Sequence, residues 1–131
     1  RERLYDSVQA AGGRLVTLTG DTHTAWANTL HDSEGARVGV EFGCTSITSP
    51  GTGSYLPNVP DLGEQFADAN TEVDWHDPFG HGYTVVTLTP DRVSGAFVKV
   101  STVLEPDYTA ERVATFAAVP EGNGVSVLSK A

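Results

Sequence analysis

The density of β-branched side chains is the feature that most constrains the fold of this chain. Valine supplies 16 residues and threonine 15, so these two types occupy 31 of the 131 positions. Branching at Cβ restricts χ1 and favours pleated strands over helices. The length fits one domain at most, and a hydrophobic content of 39% is enough to build a core. The sequence predicts a β-rich fold of the α+β class, with no more than one domain in residues 1–131.

The first part of the chain shows a helix followed by three strands. Apolar residues recur at helical spacing over residues 2–11 and stop at a Gly-Gly pair, which predicts one amphipathic helix. Residues 15–19 are almost wholly apolar or β-branched, which is typical of a strand buried on both faces of a sheet. Residues 24–30 and 37–42 flank a turn-forming run, which predicts a hairpin.

The rest of the chain divides into a long loop region and a predicted antiparallel meander. Residues 43–82 are rich in Gly, Pro, Asn, Asp and Ser, and only residues 62–69 have a helical pattern. Long loops inside compact domains are often functional. Further strands are predicted at residues 83–89, 93–103, 112–119 and 125–128, with a Pro-Asp turn between the first two.

The charge balance disfavours one class of partner. Eight Lys and Arg residues against 17 Asp and Glu residues give a formal net charge of −9, and the basic residues are scattered singly. The chain therefore has no basic stripe for extended nucleic-acid binding. If the substrate carries a phosphate, a bound metal is the usual alternative source of positive charge. No apolar stretch is long enough to span a membrane, and no signal-peptide pattern is present.

Two features bear on the context of the chain. The single Cys44 forms no internal disulfide and does not distinguish a reducing from an oxidising compartment. We interpret it as a small buried hydrophobe, because no positioned base supports a thiol nucleophile. The start Arg1-Glu2-Arg3 is typical of a chain interior, so the chain is expected to be a piece of a larger protein.

The segment Gly20-Asp21-Thr22-His23 directly follows the first predicted strand. Ligands of open sheets bind beyond the carboxyl ends of strands. If the segment is extended, Asp21 and His23 point to the same side and can reach one metal with a hard oxygen and a neutral nitrogen. The alternative is that Asp21 caps a turn and His23 is merely exposed, and for an isolated Asp-x-His pair this alternative is the more common.

Aromatic and histidine side chains leave both structural and functional roles open. Trp26 is a core residue of the hairpin, a wall of the site, or both. Pairing His76 with His81 in a second metal site is an alternative that no regular spacing enforces. A structural or solvated role is the favoured interpretation for His31, His76 and His81. Of the three, His81 has the strongest case for a functional role, because it precedes a predicted strand.

A hydroxyl-rich loop, residues 45–51, follows the predicted hairpin. The hydroxyls of Thr45, Ser46 and Ser49 can hydrogen-bond substrate oxygens, although such loops usually bond their own backbone. These three side chains are therefore candidate substrate contacts.

Several motifs, in order, resemble one known family. Residues 15–19 lead into Gly20-Asp21-Thr22-His23-Thr24-Ala25-Trp26-Ala27, and Val40-Glu41-Phe42 precedes Thr45-Ser46-Ile47-Thr48-Ser49. His81-Gly82-Tyr83 opens a strand that ends in Leu88-Thr89-Pro90-Asp91-Arg92-Val93, and the helix begins Arg1-Glu2-Arg3-Leu4. This order resembles the C-terminal part of the PhoD-type alkaline phosphatases, within the calcineurin-like metallophosphoesterases. The resemblance covers almost the whole chain, and motifs in order are far more specific than any one of them.

The resemblance implies a phosphomonoesterase or phosphodiesterase with a multinuclear metal centre, Fe³⁺ with Ca²⁺ in the best-known type. It also implies a bacterial protein that is secreted, periplasmic or at the cell surface and recovers phosphate. Asp21 and His23 are then metal ligands, and Trp26 is their aromatic support. The candidate substrate contacts are Thr45, Ser46, Ser49 and His81.

The resemblance further implies that this chain carries only some of the active-site residues. The family's N-terminal half carries the other metal ligands, so the N-terminal portion of the same protein is the expected partner and the isolated chain is expected to be inactive. Within the family's four-layer αββα sandwich, this chain supplies the C-terminal half with its closing antiparallel meander. Cys44 is not the family's ligand cysteine, which belongs to the other half. The alternative function is a stand-alone β-rich binding or structural domain without catalysis.

Overall fold

The ten strands of the chain form two four-stranded sheets and one two-stranded ribbon, with three short helices beside them. The computed structural model describes all residues from 1 to 131. No helix is both long and apolar enough to cross a membrane. The elements are α1 (Glu2–Ala10), β1 (Leu15–Thr19), β2 (Ala25–His31), β3 (Arg37–Gly43), α2 (Thr52–Tyr55), α3 (Leu62–Ala69), β4 (Val73–Asp77), β5 (Gly82–Thr89), β6 (Arg92–Val100), β7 (Ala110–Ala118), β8 (Pro120–Glu121), β9 (Gly124–Val125) and β10 (Ser129–Lys130).

The first sheet has the strand order β1-β3-β2-β4. β2 and β3 form the predicted antiparallel hairpin, and β1 runs parallel to β3 along its other edge. The hairpin turn forms because Asp32 Oδ1 accepts hydrogen bonds from the amides two and four residues later, at 3.0 and 2.8 Å, and because Gly35 adopts a φ of 82°. The predicted helix α1 packs on this sheet through the buried side chain of Tyr5.

The second sheet has the order β10-β7-β6-β5, and all of its pairings are antiparallel. β5, β6 and β7 pair in the order in which they occur in the chain, which confirms the predicted meander. The strand predicted at residues 125–128 is only partly correct, because β9 ends at Val125 and β10 begins at Ser129. Val125 and Leu128 instead contribute buried side chains to the core.

The core lies between the two sheets. Phe42 of β3, Phe97 of β6 and Phe116 of β7 belong to one cluster of 11 buried residues. Trp75 of β4 packs against this cluster, with its ring centroid 4.8 Å from that of Phe97. Gly95 lets the sheets approach, since a Cβ at that position would lie 2.3 Å from a ring carbon of Phe42. Contacts between aromatic rings of both sheets therefore hold the two layers together.

Two strand predictions need correction. β1 is a strand, but it is not buried on both faces: it lies at the sheet edge, pairs only with β3, and leaves Leu18 63% exposed. Its apolar surface and its unpaired backbone edge are therefore open to solvent. β4 was not predicted, because a short segment that contains two aspartates and a histidine has a poor strand composition and sits among loop-forming residues.

Candidate functional site

The loop of residues 20–23 leaves the end of β1 in an unusual backbone conformation. Asp21 has a φ of 72° and His23 a φ of 60°, and no other non-glycine residue has a positive φ. Asp and His tolerate this left-handed region better than most residues, although such strain costs roughly 1–3 kcal/mol per residue. The segment is therefore not extended, so strand alternation does not place Asp21 and His23 on one side. Strain of this kind clusters at functional sites.

The imidazole of His23 is held in one orientation by a backbone oxygen. Its Nδ1 lies 3.2 Å from the carbonyl oxygen of Pro50, and because a carbonyl only accepts, Nδ1 carries the proton and donates. In the neutral form of the ring the lone pair is then on Nε2. The next residue, Gly51, lies so close that a Cβ there would be 2.5 Å from the carbonyl oxygen of His23. Residues 50 and 51 therefore fix both the ring and the backbone of His23.

The indole of Trp26 supports the same loop from the other side. Its Nε1–H donates to Thr22 Oγ1 at 3.0 Å. His76 stacks on the indole with ring centroids 3.6 Å apart, and Phe66 of α3 meets it edge-on at 5.7 Å. Trp26 is half-buried, so the structural role is present, and its role as a wall of the site stays a prediction.

His76 has the structural role that was predicted for it. Its side chain is buried, and Nδ1 donates to the carbonyl oxygen of Ala25 at 2.9 Å. Burial lowers the pKa of His76 below its ordinary 6.5, while the hydrogen bond to Ala25 and the charge of Asp77 act in the opposite direction. A neutral imidazole is therefore the form that packs against Trp26.

The hydroxyl of Thr45 connects three loops. Thr45 Oγ1 lies 2.6 Å from the carbonyl oxygen of Gly80 and 3.1 Å from that of His23. Its single proton is shared between these two acceptors. The hydroxyl-rich loop, the loop before β5 and the loop after β1 are therefore brought together at one end of the sheets.

Ser46 orients His81 in a similar way. The Ser46 hydroxyl donates to the carbonyl oxygen of Ser49 at 2.5 Å, so the 3.3 Å contact between Ser46 Oγ and His81 Nδ1 is a donation from the ring N–H. His23 and His81 are both held through Nδ1 by residues 46–50, so in the neutral form of each ring the lone pair is on Nε2. Ser49 takes part through its carbonyl, which is the backbone bonding that such loops usually show.

Two other candidates lie apart from this cluster or differ from expectation. Cys44 is half-buried rather than buried, because β3 ends one residue earlier and the chain leaves the core there. His31 lies at the end of β2 remote from the loop of residues 20–23, where it lines a groove of about 720 Å³ with Arg1 and Glu72.

The chemistry of Asp21 and His23 fits a metal ion. A carboxylate oxygen and an imidazole Nε2 are good ligands, and metal-bound histidines almost always donate their other ring N–H to a carbonyl, carboxylate or water. However, no group of three or more His, Cys, Asp or Glu side chains is arranged to hold an ion in this chain. Two side chains of this kind are too few to hold a multinuclear centre.

Two contacts of the site were not predicted. Pro50 acts through its backbone oxygen, and a backbone acceptor leaves no trace in a residue pattern. His76 acts through its stacking on Trp26 across the β2–β4 pair. That contact would have followed from strand pairing if β4 had been recognised.

Known proteins with similar sequences and structures agree with one another. A family model described as PhoD-like phosphatase matches residues 1–97. Alkaline phosphatase D of Bacillus subtilis (strain 168) is 28% identical over 134 residues, which cover 98% of this chain and 22% of that protein. The solved structure of PhoD matches with a TM-score of 0.78 and 27% identity, over 98% of this chain and 24% of that one. The chain thus spans less than a quarter of the length of these relatives.

Proposed function

The chain belongs to the PhoD-like phosphatase family, and on that premise we propose that the intact protein hydrolyses phosphate monoesters or diesters with the help of bound metal. The similarity to alkaline phosphatase D extends over nearly the whole chain, which supports a hydrolase. Because the chain spans 22% of that relative, the activity is proposed for the whole protein. The isolated chain is expected to be inactive, since it offers only two candidate ligands.

The anchored imidazole of His23 is the observation that carries this proposal. With Nδ1–H bonded to the carbonyl of Pro50, Nε2 is free to bind a metal, and the carboxylate of Asp21 lies two residues away in the same strained loop. Asp21 and His23 would hold part of a centre for which the family resemblance implies Fe³⁺ and Ca²⁺. When bound, such metals supply Lewis-acid activation of the phosphoryl group and of water. The positive charge that the acidic chain lacks would come from them.

The other residues of the cluster would position these ligands and the substrate. Trp26 holds the loop through Thr22 and restricts the space available to water. His81 keeps a bare Nε2 that can accept a hydrogen bond from a substrate or its water. The proposed substrate contacts are Thr45, Ser46, Ser49 and His81.

The partner proposed for this chain is the remaining, N-terminal portion of the same protein. β1 has a free backbone edge and an exposed Leu18, as expected of a strand that another strand covers. Together the two portions would form one domain with the four-layer sandwich implied by the resemblance, and its C-terminal layers would be those described above. By the same resemblance, the protein is proposed to be secreted, periplasmic or at the cell surface of a bacterium.

A stand-alone β-rich binding or structural domain is the second candidate function. It is favoured by the closed aromatic core between the two sheets and by the lack of any cluster of three metal-ligating side chains. Such a domain would fold alone and would need neither metal nor the N-terminal portion.

Replacement of both candidate ligands in the intact protein tests the proposal. Asp21→Ala combined with His23→Ala is expected to lower the metal content and the turnover of a simple aryl phosphate together, because the same side chains support both. The matched control is Asp91→Ala with His31→Ala, which removes the same residue types outside the site and should leave both quantities unchanged. Metal content and activity that survive the first double substitution would contradict the proposal.

A further inference from the structure

Thr19, Asn28 and Glu41 form a hydrogen-bonded cluster on the first sheet, outside the proposed metal ligands and substrate contacts. Glu41 of β3 lies between Thr19 of β1 and Asn28 of β2, on the face opposite to the core residue Phe42. Thr19 Oγ1 donates to Glu41 Oε1 at 2.6 Å, and Asn28 Nδ2 donates to Glu41 Oε2 at 3.0 Å. Both oxygens of one carboxylate therefore join side chains of three neighbouring strands.

The backbone ladders already hold these strands together. β3 pairs with β1 on one side and with β2 on the other over most of its length. The additional bonds to Glu41 are charge-assisted, and such bonds are short and geometrically strict. What they add is a fixed position for the side chain of Thr19.

Thr19 is the last residue of β1, directly before the strained loop of residues 20–23. Its hydroxyl lies in a confined place: a Cβ added to Gly43 would be 3.3 Å from Thr19 Oγ1 and 3.0 Å from the Trp26 side chain. The amide of Cys44 also donates to the carbonyl of Thr19 at 2.8 Å. The point at which the loop leaves the sheet is thus held by both the backbone and the side chain of one residue.

We propose that Glu41 is a positioning residue: through Thr19 it fixes the loop that carries Asp21 and His23 in the geometry needed to bind metal. This inference rests on the proposed function, because it requires Asp21 and His23 to be ligands. Glu41 acts through Thr19, to which it is bonded, and its role is to reduce the freedom of the loop before metal binds.

Two substitutions in the intact protein act on this bond, one by weakening it and the other by removing it. Glu41→Gln removes the charge of the acceptor and Thr19→Val removes the donor. Each is expected to weaken metal binding by about 10-fold to 100-fold. In the metal-free protein each should speed hydrogen exchange at the Thr22 amide, which donates to the carbonyl of Gly20 at 2.9 Å. The double variant should be no worse than the more affected single variant, because both changes act on the same bond.

Two further variants serve as controls. Thr19→Ser keeps the hydroxyl and should retain the parent metal affinity, so the pair Thr19→Val and Thr19→Ser decides the question even if Glu41→Gln fails to fold. Thr17→Val is the matched control, because Thr17 lies opposite Glu41 in the strand register yet forms no side-chain bond with it. The effects of Thr17→Val and Glu41→Gln on metal affinity should be additive in the double variant.

The outcomes separate the inference from the function on which it rests. If Thr19→Val and Glu41→Gln lower thermal stability but leave metal affinity and Thr22 exchange at parent values, the positioning role is wrong. The proposed function would still stand if Asp21→Ala and His23→Ala abolish metal binding in the same assay. Retention of metal by these two variants as well would overturn both.

Discussion

The imidazole of His76 lies flat against the indole of Trp26, with ring centroids 3.6 Å apart and 19° between the ring planes. The same indole donates its N–H to Thr22, which stands between Asp21 and His23. β4 is therefore linked by one aromatic pair to the loop that carries the candidate metal ligands. Substitution of Trp26 is therefore expected to affect the loop directly, and substitution of His76 only through Trp26.

Trp26→Phe is expected to reduce metal affinity and turnover less than Asp21→Ala or His23→Ala. Phenylalanine keeps an aromatic ring against His76 but removes the donor to Thr22. Changes of this kind around metal ligands typically cost about 10-fold to 100-fold. Metal titration and steady-state kinetics of the intact variants check this. If Trp26→Phe lowers metal affinity and turnover as much as His23→Ala does, the supporting role of Trp26 is wrong.

His76 is expected to make stability depend on pH. Burial lowers the pKa of His76 below 6.5. Just below pH 6.5 the imidazole is therefore protonated to a greater extent in the unfolded chain than in the folded chain. The free energy of unfolding therefore carries its full contribution above pH 6.5 and falls as the pH decreases through the lowered pKa.

His76→Phe should flatten that dependence, because it keeps a ring stacked on Trp26 and cannot titrate. Unfolding of the intact parent and variant, followed by tryptophan fluorescence between pH 5 and pH 7.5, compares the two slopes. Burial raises the pKa of Asp74, whose opposite contribution is present below 3.8 and is lost as the pH rises. That contribution cancels in the comparison, and identical slopes would show that His76 contributes nothing.

Gly51→Ala is expected to disturb His23 directly. The new Cβ would lie 2.5 Å from the carbonyl oxygen of His23 and 2.8 Å from Thr24 Cγ2, so the loop must move. Overpacking of this kind costs about 1–3 kcal/mol, and metal affinity should fall as the Pro50 contact is lost. Gly124→Ala is the control, since a Cβ there meets nothing closer than 3.9 Å. Equal metal affinity in both variants would argue against the role of residues 50 and 51.

The isolated chain is expected to self-associate. β1 offers a free edge, and Leu18 on that strand is 63% exposed. Leu18→Lys should reduce association, whereas Leu104→Lys, at a position that is 87% exposed outside the sheets, should not. Sedimentation velocity measures this. A parent chain that sediments as a stable monomer with cooperative unfolding would contradict the prediction and favour the stand-alone domain.

Local patterns predicted much of the fold, and long-range pairing accounts for what they missed. The hairpin of β2 and β3 and the meander of β5, β6 and β7 are confirmed because alternation and turn residues act over short distances. The edge position of β1 depends on which strands lie beside it, and its apolar composition does not record that. β4 became a strand through pairing with β2, despite a composition that does not favour strands.

The site shows the same division. Asp21 and His23 are predicted as ligands from the motif after β1 and from the resemblance, and this role stays a prediction. The left-handed turn at both residues and the carbonyl of Pro50 that anchors His23 follow from the paths of separate loops. Backbone groups are shared by all residues, so sequence alone does not indicate which of them will meet a given side chain.

The structure of the intact protein with its metals bound tests the central claim most directly. We expect His23 Nε2 to lie within coordination distance of a metal ion, with Nδ1 still bonded to the carbonyl of Pro50 and a carboxylate oxygen of Asp21 on the same metal centre. If Asp21 and His23 point away from every bound metal, the site proposed here is wrong.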